Sequence, residues 1–139
     1  MGLIKPSGSK ISYTISPSDE QRLFSSTSSI TESTTFVALK KVVWLGKPST
    51  IRIKYRFTDY YGGRGAQAGI FVNGSLYSTY DESYSPSPLY IKKDIYVKKG
   101  DEIAIYGRIL TSGSVVCDEM GVYYSIAASN VPVLLTKIS

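Results

Sequence analysis

The chain has 139 residues, enough for one domain, and its 42% hydrophobic content excludes a disordered protein. The net charge of +5 is modest and serves solubility, so nucleic acid is not an expected partner. The absence of histidine excludes Ser-His and Cys-His nucleophile pairs and histidine zinc sites, and a single cysteine excludes an intrachain disulfide.

The amino-terminal residues 1–9 show no periodicity and are predicted to form a flexible arm, followed by one β-sandwich domain over 10–139. The start of the chain lacks the apolar segment of a secretory signal, and no apolar run is long enough to span a bilayer. We therefore expect a soluble chain without a signal peptide.

The first half of the domain alternates apolar and polar residues as β-strands do. Residues 10–16 are predicted to form a strand, 17–20 a turn, and 36–45 a central strand with either a bulge or a local twist at Lys40-Lys41. The segment 25–35 fits either a polar edge strand or an exposed loop. The alternation is clearest over 49–58, a strand with one apolar face and one basic face.

Two β-hairpins are predicted next along the chain. Strands at 67–72 and 76–80 flank Asn73-Gly74, the preferred pair for a type I′ turn because both central residues need positive φ. Strands at 89–97 and 102–110 flank a Lys-Lys-Gly-Asp turn. The connections 60–65 and 81–88 are predicted loops, and the Val-Val-Cys run is expected to bury Cys117.

The carboxy-terminal part adds a last long strand or strand pair over 115–128 and a short terminal strand over 133–138. Short strands, frequent turn signals and the lack of helical periodicity predict an all-β protein, an antiparallel β-sandwich or barrel.

From Ile51 to Ala128, the order IRIKYRF, GIFVNG, KGDEI and GVYYSI resembles the jelly-roll heads of complement and tumour-necrosis-factor type. It is similar also to viral and phage jelly-roll domains. The resemblance implies an antiparallel β-sandwich of jelly-roll type and a tendency to trimerise, and it implies no ligand residues.

Candidate binding residues come from the tyrosines, of which the chain has twelve. Tyrosine offers flat contact area and a hydroxyl group, which suits recognition of a sugar or a protein, although it is also common in strands. The candidates cluster around the two loops that flank the first hairpin: Tyr60, Tyr61, Arg64, Tyr77, Tyr80, Tyr84 and Tyr90.

The basic face of strand 49–58 consists of Arg52, Lys54 and Arg56, which could meet anionic groups or simply be solvated. Three acidic pairs are predicted to lie at turns. They are Asp81-Glu82, Asp101-Glu102 and Asp118-Glu119. Calcium binding by them is left open, and neither a metal site nor a cofactor is predicted.

The function predicted from these features is that of a non-enzymatic structural or recognition subunit, most simply a capsid or appendage component of a virion. Its expected partners are further copies of itself, as a homo-oligomer or trimer, other structural subunits, and a glycan or host receptor. One alternative is a carbohydrate-binding module that uses the loop tyrosines. A second is a small hydrolase that depends on carboxylates.

Overall fold

The computed structural model describes residues 13–127 and 134–139, and these residues form nine β-strands and no helix. The predicted arm 1–9 lies outside the described residues. The strands are β1 (Ile15–Ser25), β2 (Ser29–Thr31), β3 (Val37–Val43), β4 (Ser49–Asp59), β5 (Ala66–Val72), β6 (Ser75–Ser83), β7 (Leu89–Val97), β8 (Glu102–Ile109) and β9 (Val115–Ile126).

The strands form two antiparallel sheets. One has the order β1-β9-β4-β7, with β2 paired to β9, and the other has the order β3-β8-β5-β6. The predicted fold class, an all-β antiparallel sandwich of jelly-roll type, is confirmed. No helix in the described segments has the length and apolar character needed to cross a membrane.

The core between the sheets is built from alternate residues of the central strands. Ile51, Ile53 and Phe57 of β4 are fully buried, and Ile103 and Ile105 of β8 face them from the other sheet. Burying each such side chain contributes roughly 1.5–3 kcal/mol, so the two-residue period of the sequence selects the inner face. Cys117 is buried, as predicted.

The first predicted hairpin is confirmed. Asn73 and Gly74 have φ values of 53° and 84°, as a type I′ turn requires, and Val72 pairs with Ser75 across the turn between β5 and β6. Beyond the turn, β6 continues to Ser83, so the predicted loop 81–88 is shorter than expected.

The second predicted hairpin is wrong. β7 pairs with β4 in one sheet, whereas β8 pairs with β3 and β5 in the other, so residues 98–101 cross between the sheets. Both strands direct alternate apolar residues toward the same core. Because alternation of apolar and polar residues identifies only which face of a strand is buried, it could not identify the strand with which each one pairs.

The predicted central strand at 36–45 is instead β3, which occupies an edge of its sheet, although its bulge between Ala38 and Lys40 is confirmed. The carboxy-terminal residues cover the free side of β3. The backbones of Lys41 and Ser139 exchange hydrogen bonds, and Leu135 bridges Trp44. The terminal strand predicted at 133–138 is thus reduced, within 134–139, to an isolated bridge and a few backbone hydrogen bonds.

Two other local predictions differ from the structure. Residues 17–20 were expected to turn but lie inside β1, which is irregular between Ser16 and Gln21. Two of the three acidic pairs lie within strands rather than at turns, one in β6 and one in β9. Their aspartates pair with cations of other strands: Asp81 contacts Lys93 of β7 in the other sheet, and Asp118 contacts Arg56 of the adjacent strand β4.

Candidate functional site

The loop at residues 60–65 is preformed by glycines and by one buried carboxylate. Gly62, Gly63 and Gly65 have φ values of 74°, 72° and 93°, a region that favours glycine. The carboxylate of Asp59, 1% exposed, accepts hydrogen bonds from the backbone N–H groups of Arg64 and Gly65, both at 3.0 Å. The loop therefore holds its shape without a ligand.

This loop presents two exposed tyrosines beside a guanidinium group. Tyr60 and Tyr61 are each 59% exposed, and their rings pack edge to face with centroids 5.1 Å apart. The Arg64 guanidinium carbon lies 5.6 Å from the Tyr61 ring centroid, and its Nη1 donates to Ser112 Oγ at 2.9 Å. Tyr61 and Arg64 therefore form a fixed aromatic and polar pair.

An open cleft of about 490 Å³ lies beside this pair. Its residues come from the β2–β3, β4–β5 and β8–β9 connections and the end of β8, and most are polar. We call it the tyrosine cleft, and it is lined by Glu32, Tyr61, Arg64, Ile109, Thr111, Ser112 and Gly113. A Cβ atom at position 113 would lie 3.1 Å from Arg64 Cδ, so the absence of a side chain at Gly113 leaves space for the arginine.

Tyr84 connects the cleft to the outer face of the four-stranded sheet. Its carbonyl oxygen accepts a hydrogen bond from Gly63 N, and its hydroxyl group bonds the Glu82 carboxylate, which raises the pKa of Tyr84 above its usual value. Glu82 in turn accepts a hydrogen bond from Gln67 Nε2, and Gln67 Oε1 accepts one from Arg108 Nε at 2.7 Å.

An aromatic cluster occupies that outer face next to Arg108. The rings of Phe71 and Tyr106 stack with centroids 4.1 Å apart, and Phe36 lies 5.2 Å from Phe71 and 5.7 Å from Tyr80. We call this surface the aromatic face, and it consists of Phe36, Phe71, Tyr80, Tyr106 and Arg108.

Of the residues of the aromatic face, only Tyr80 is among the binding residues predicted from sequence. The signal that could have identified the other residues is the alternation of inward-facing and outward-facing positions along β5 and β8. In β5 and β8, Phe71 and Tyr106 lie in sequence at positions that point away from the core, where polar residues are the norm for a solvated sheet face. Large aromatic residues at such positions indicate a surface with another use.

The basic face predicted on β4 lies on the outside of the five-stranded sheet, and acidic residues pair with all three cations. Arg52 contacts Asp94 and Asp19, Lys54 contacts Asp19, and Arg56 contacts Asp118 and Glu119. Hydrogen bonds from Lys54 and Arg52 lower the pKa of Asp19 to about 2. These cations are thus engaged within the chain.

The site residues predicted from sequence separate onto four surfaces. Tyr60, Tyr61, Arg64 and Tyr84 come together at the loop end, and Tyr80 lies on the aromatic face. Tyr90 packs against Arg56 on the outside of the five-stranded sheet, and the Tyr77 hydroxyl accepts a hydrogen bond from Tyr96 N at the side of the sandwich. The aromatic cluster expected around the first hairpin is therefore divided.

No group of three or more metal-ligating acidic or cysteine residues occurs in the described part of the chain. The carboxylates that the hydrolase alternative invoked lie on different surfaces. Asp81 pairs with Lys93 at 3.2 Å at the side of the sandwich, and Asp118 pairs with Arg56 on the five-stranded sheet.

No protein-family model matches the sequence, and a search of curated proteins finds no match. Solved structures do share the fold. The C-terminal domain of EclA, described as a sugar-binding protein, aligns with a TM-score of 0.56 and 11% identity over 74% of this chain and 79% of its own.

Two further structures show the same fold. The CBM22-1 xylan-binding domain of Paenibacillus barcinonensis Xyn10C has a TM-score of 0.52 at 11% identity, covering 80% of this chain and 99% of its own. The CBM36-1 domain of a multidomain xylanase from the hindgut metagenome of Trinervitermes trinervoides has a TM-score of 0.50 at 11% identity, covering 86% and 100%.

These structures correct the function predicted from sequence. The prediction of a virion component is wrong, because the neighbours that share the sandwich are sugar-binding and xylan-binding domains and support the carbohydrate alternative instead. The resemblance to complement, tumour-necrosis-factor and viral jelly rolls is confirmed only as a jelly-roll β-sandwich. Oligomerisation of this chain stays a prediction.

Proposed function

We propose that this protein is a non-catalytic carbohydrate-binding module whose binding site is the tyrosine cleft. The observation that carries the proposal is the pair of exposed rings, Tyr60 and Tyr61, fixed beside a polar cleft. The C–H face of a pyranose packs on an aromatic ring, while its hydroxyl groups need donors and acceptors nearby.

The cleft supplies both kinds of contact. Arg64 and Ser112 offer donors and a hydroxyl group, and Glu32 offers a carboxylate acceptor, all beside the Tyr61 ring. The Asp59 carboxylate and the glycines already hold the loop in place, so the loop loses little conformational freedom when a ligand binds. The entropic cost of binding is lower for this reason. The sugar-binding and xylan-binding neighbours of the fold agree with this proposal.

The proposal predicts that Tyr61→Ala weakens polysaccharide binding at least about tenfold, a loss of roughly 1.4 kcal/mol. Affinity electrophoresis in gels that contain xylan, β-1,3-galactan, cellulose derivatives or pectin measures this loss, and isothermal titration quantifies it for the polymer that binds best. Tyr60→Ala is expected to weaken binding as well, because its ring supports Tyr61.

The matched control is Tyr96→Ala, which removes a tyrosine of similar exposure, 52%, from β7, where it pairs with Thr50 at the end of β4 far from the tyrosine loop. It is expected to bind like the unaltered protein. The proposal is wrong if no polymer retards the protein, or if Tyr61→Ala and Tyr96→Ala affect binding equally.

A further inference from the structure

The arginines of the chain fall into two groups according to their partners. Of five arginines, Arg22, Arg52 and Arg56 form ion pairs with carboxylates. Arg64 and Arg108 form none with any residue that the structure describes. Arg64 lines the tyrosine cleft and Arg108 belongs to the aromatic face, and neither guanidinium group is paired with a carboxylate of the described residues.

Arg108 is held in place by its neighbours. Its Nε donates to Gln67 Oε1 at 2.7 Å, and Gln67 is only 4% exposed and fixed in turn by Glu82. The guanidinium carbon lies 4.2 Å from the Phe36 ring centroid and 5.6 Å from that of Tyr80. Stacking between aromatic rings holds the planar group in one orientation.

The two Nη groups of Arg108 are the free donors of this arrangement. Of the three guanidinium nitrogens of Arg108, only Nε donates a hydrogen bond to a residue within 13–127 and 134–139. Two parallel N–H groups on a planar guanidinium match two oxygens of a carboxylate or sulfate, and such charge-assisted bonds are stronger than neutral ones. The geometry is thus that of an anion receptor with no anionic partner among the residues that the structure describes.

The charges around Arg108 permit an anion. The register places Glu82, Gln67 and Arg108 in one row across β6, β5 and β8, and the Gln67 amide lies between the Glu82 carboxylate and the Arg108 guanidinium, so these two charged groups form no direct ion pair. The Glu82 carboxylate is already bonded to Gln67 and Tyr84. The net charge of +5 adds a favourable field for anionic chains.

We propose that Arg108 and the aromatic face form a second subsite that binds an oxyanion substituent of the glycan, a carboxylate or a sulfate ester. This inference rests on the proposed function and defines its ligand as an acidic saccharide. The rings of Phe36 and Tyr80 would pack against the sugar while Arg108 binds its acidic group. Arg64 would contact the neighbouring sugar units of the same glycan in the tyrosine cleft.

The test compares acidic polymers with matched neutral ones at about 150 mM salt, where nonspecific attraction is screened. Polygalacturonate is paired with its carboxyl-reduced form, and dextran sulfate with dextran, so the two arms distinguish a carboxylate from a sulfate. We expect at least about tenfold tighter binding to one acidic polymer than to its neutral partner.

Variants then locate the preference. Arg108→Gln and Arg108→Lys are both expected to abolish the preference, since lysine keeps the charge but loses the bidentate fork. Lys99→Gln removes the same charge from an exposed turn residue and is expected to change affinity less than about threefold. A thermal unfolding scan checks that the variants fold, and the Nε–H resonance of Arg108 should shift when an oligosaccharide of the preferred acidic polymer is added to the unaltered protein.

The outcomes separate this inference from the proposed function. If neutral and acidic polymers bind equally, or if Arg108→Gln and Lys99→Gln weaken binding alike, the acidic subsite is refuted. Loss of binding in Tyr61→Ala would then still support the tyrosine cleft. If no polymer of any kind binds, both proposals are refuted.

Discussion

Asp101 connects the turn after β7 to the hairpin between β5 and β6. Its carboxylate accepts hydrogen bonds from Lys98 N at 2.7 Å and Asn73 Nδ2 at 2.9 Å, and Asn73 Oδ1 accepts one from Glu102 N at 2.9 Å. Burial alone would raise the pKa of Asp101, but these hydrogen bonds outweigh it and lower the pKa below its usual value of 3.8. Asn73 therefore serves both its own turn and the connection by which the chain passes from β7 to β8.

The lowered pKa of Asp101 predicts acid sensitivity. Its stabilising contribution is complete above the unfolded pKa of 3.8 and is lost as the pH falls through the lower folded pKa. Asp101→Asn should reduce the free energy of unfolding at pH 7 by about 1 kcal/mol per hydrogen bond lost and should make it less dependent on pH below 4. Urea unfolding at pH 7 and pH 3 measures both effects. An unchanged pH dependence in the variant would refute this role.

Cys117 should be unreactive in the folded protein. Burial raises the pKa of its thiol to about 12, so the nucleophilic thiolate is scarce near neutral pH. We expect a thiol-specific disulfide reagent to react at least ~100-fold more slowly with the native protein than with the urea-unfolded chain. Rapid stoichiometric reaction without denaturant would contradict the buried position.

The strands show which parts of the fold the sequence could predict. Asn73-Gly74 specified its hairpin because the turn type depends on two adjacent residues alone. The connection between β7 and β8 was misassigned because partner choice depends on strands distant in sequence. The same limit applies to the cations of β4, whose partners Asp19, Asp94 and Asp118 come from β1, β7 and β9.

The carboxy-terminal segment is predicted to stabilise the edge strand β3. Leu134 and Ile138 are 4% and 7% exposed and belong to the core, so Leu134→Ala or Ile138→Ala should each cost about 2–5 kcal/mol. Because Lys41 N donates to Ser139 O, hydrogen exchange at the Lys41 amide should accelerate in either variant. Unchanged stability together with unchanged exchange would show that the segment is dispensable.

The whole molecule divides its surfaces by chemistry. The outside of the five-stranded sheet pairs Arg52, Lys54 and Arg56 with carboxylates of neighbouring strands. In the tyrosine cleft and on the aromatic face, by contrast, Arg64 and Arg108 lie beside aromatic rings and have no ion-pair partner among the described residues. The sequence predicted the cleft tyrosines because they occupy a glycine-rich loop. It could not predict their separation from Tyr77 and Tyr90, since that depends on which sheet each strand joins.

Chemical-shift mapping of the backbone amides tests carbohydrate binding by the tyrosine cleft most directly. The titrant is an oligosaccharide of the best-binding polymer. We predict saturable shifts at residues 60–65, at Tyr84 and at Ser112, with those at residues 60–65 absent in Tyr61→Ala. Shifts confined to the ion-paired face around Arg52, or no shifts at any saccharide concentration, would contradict the assignment.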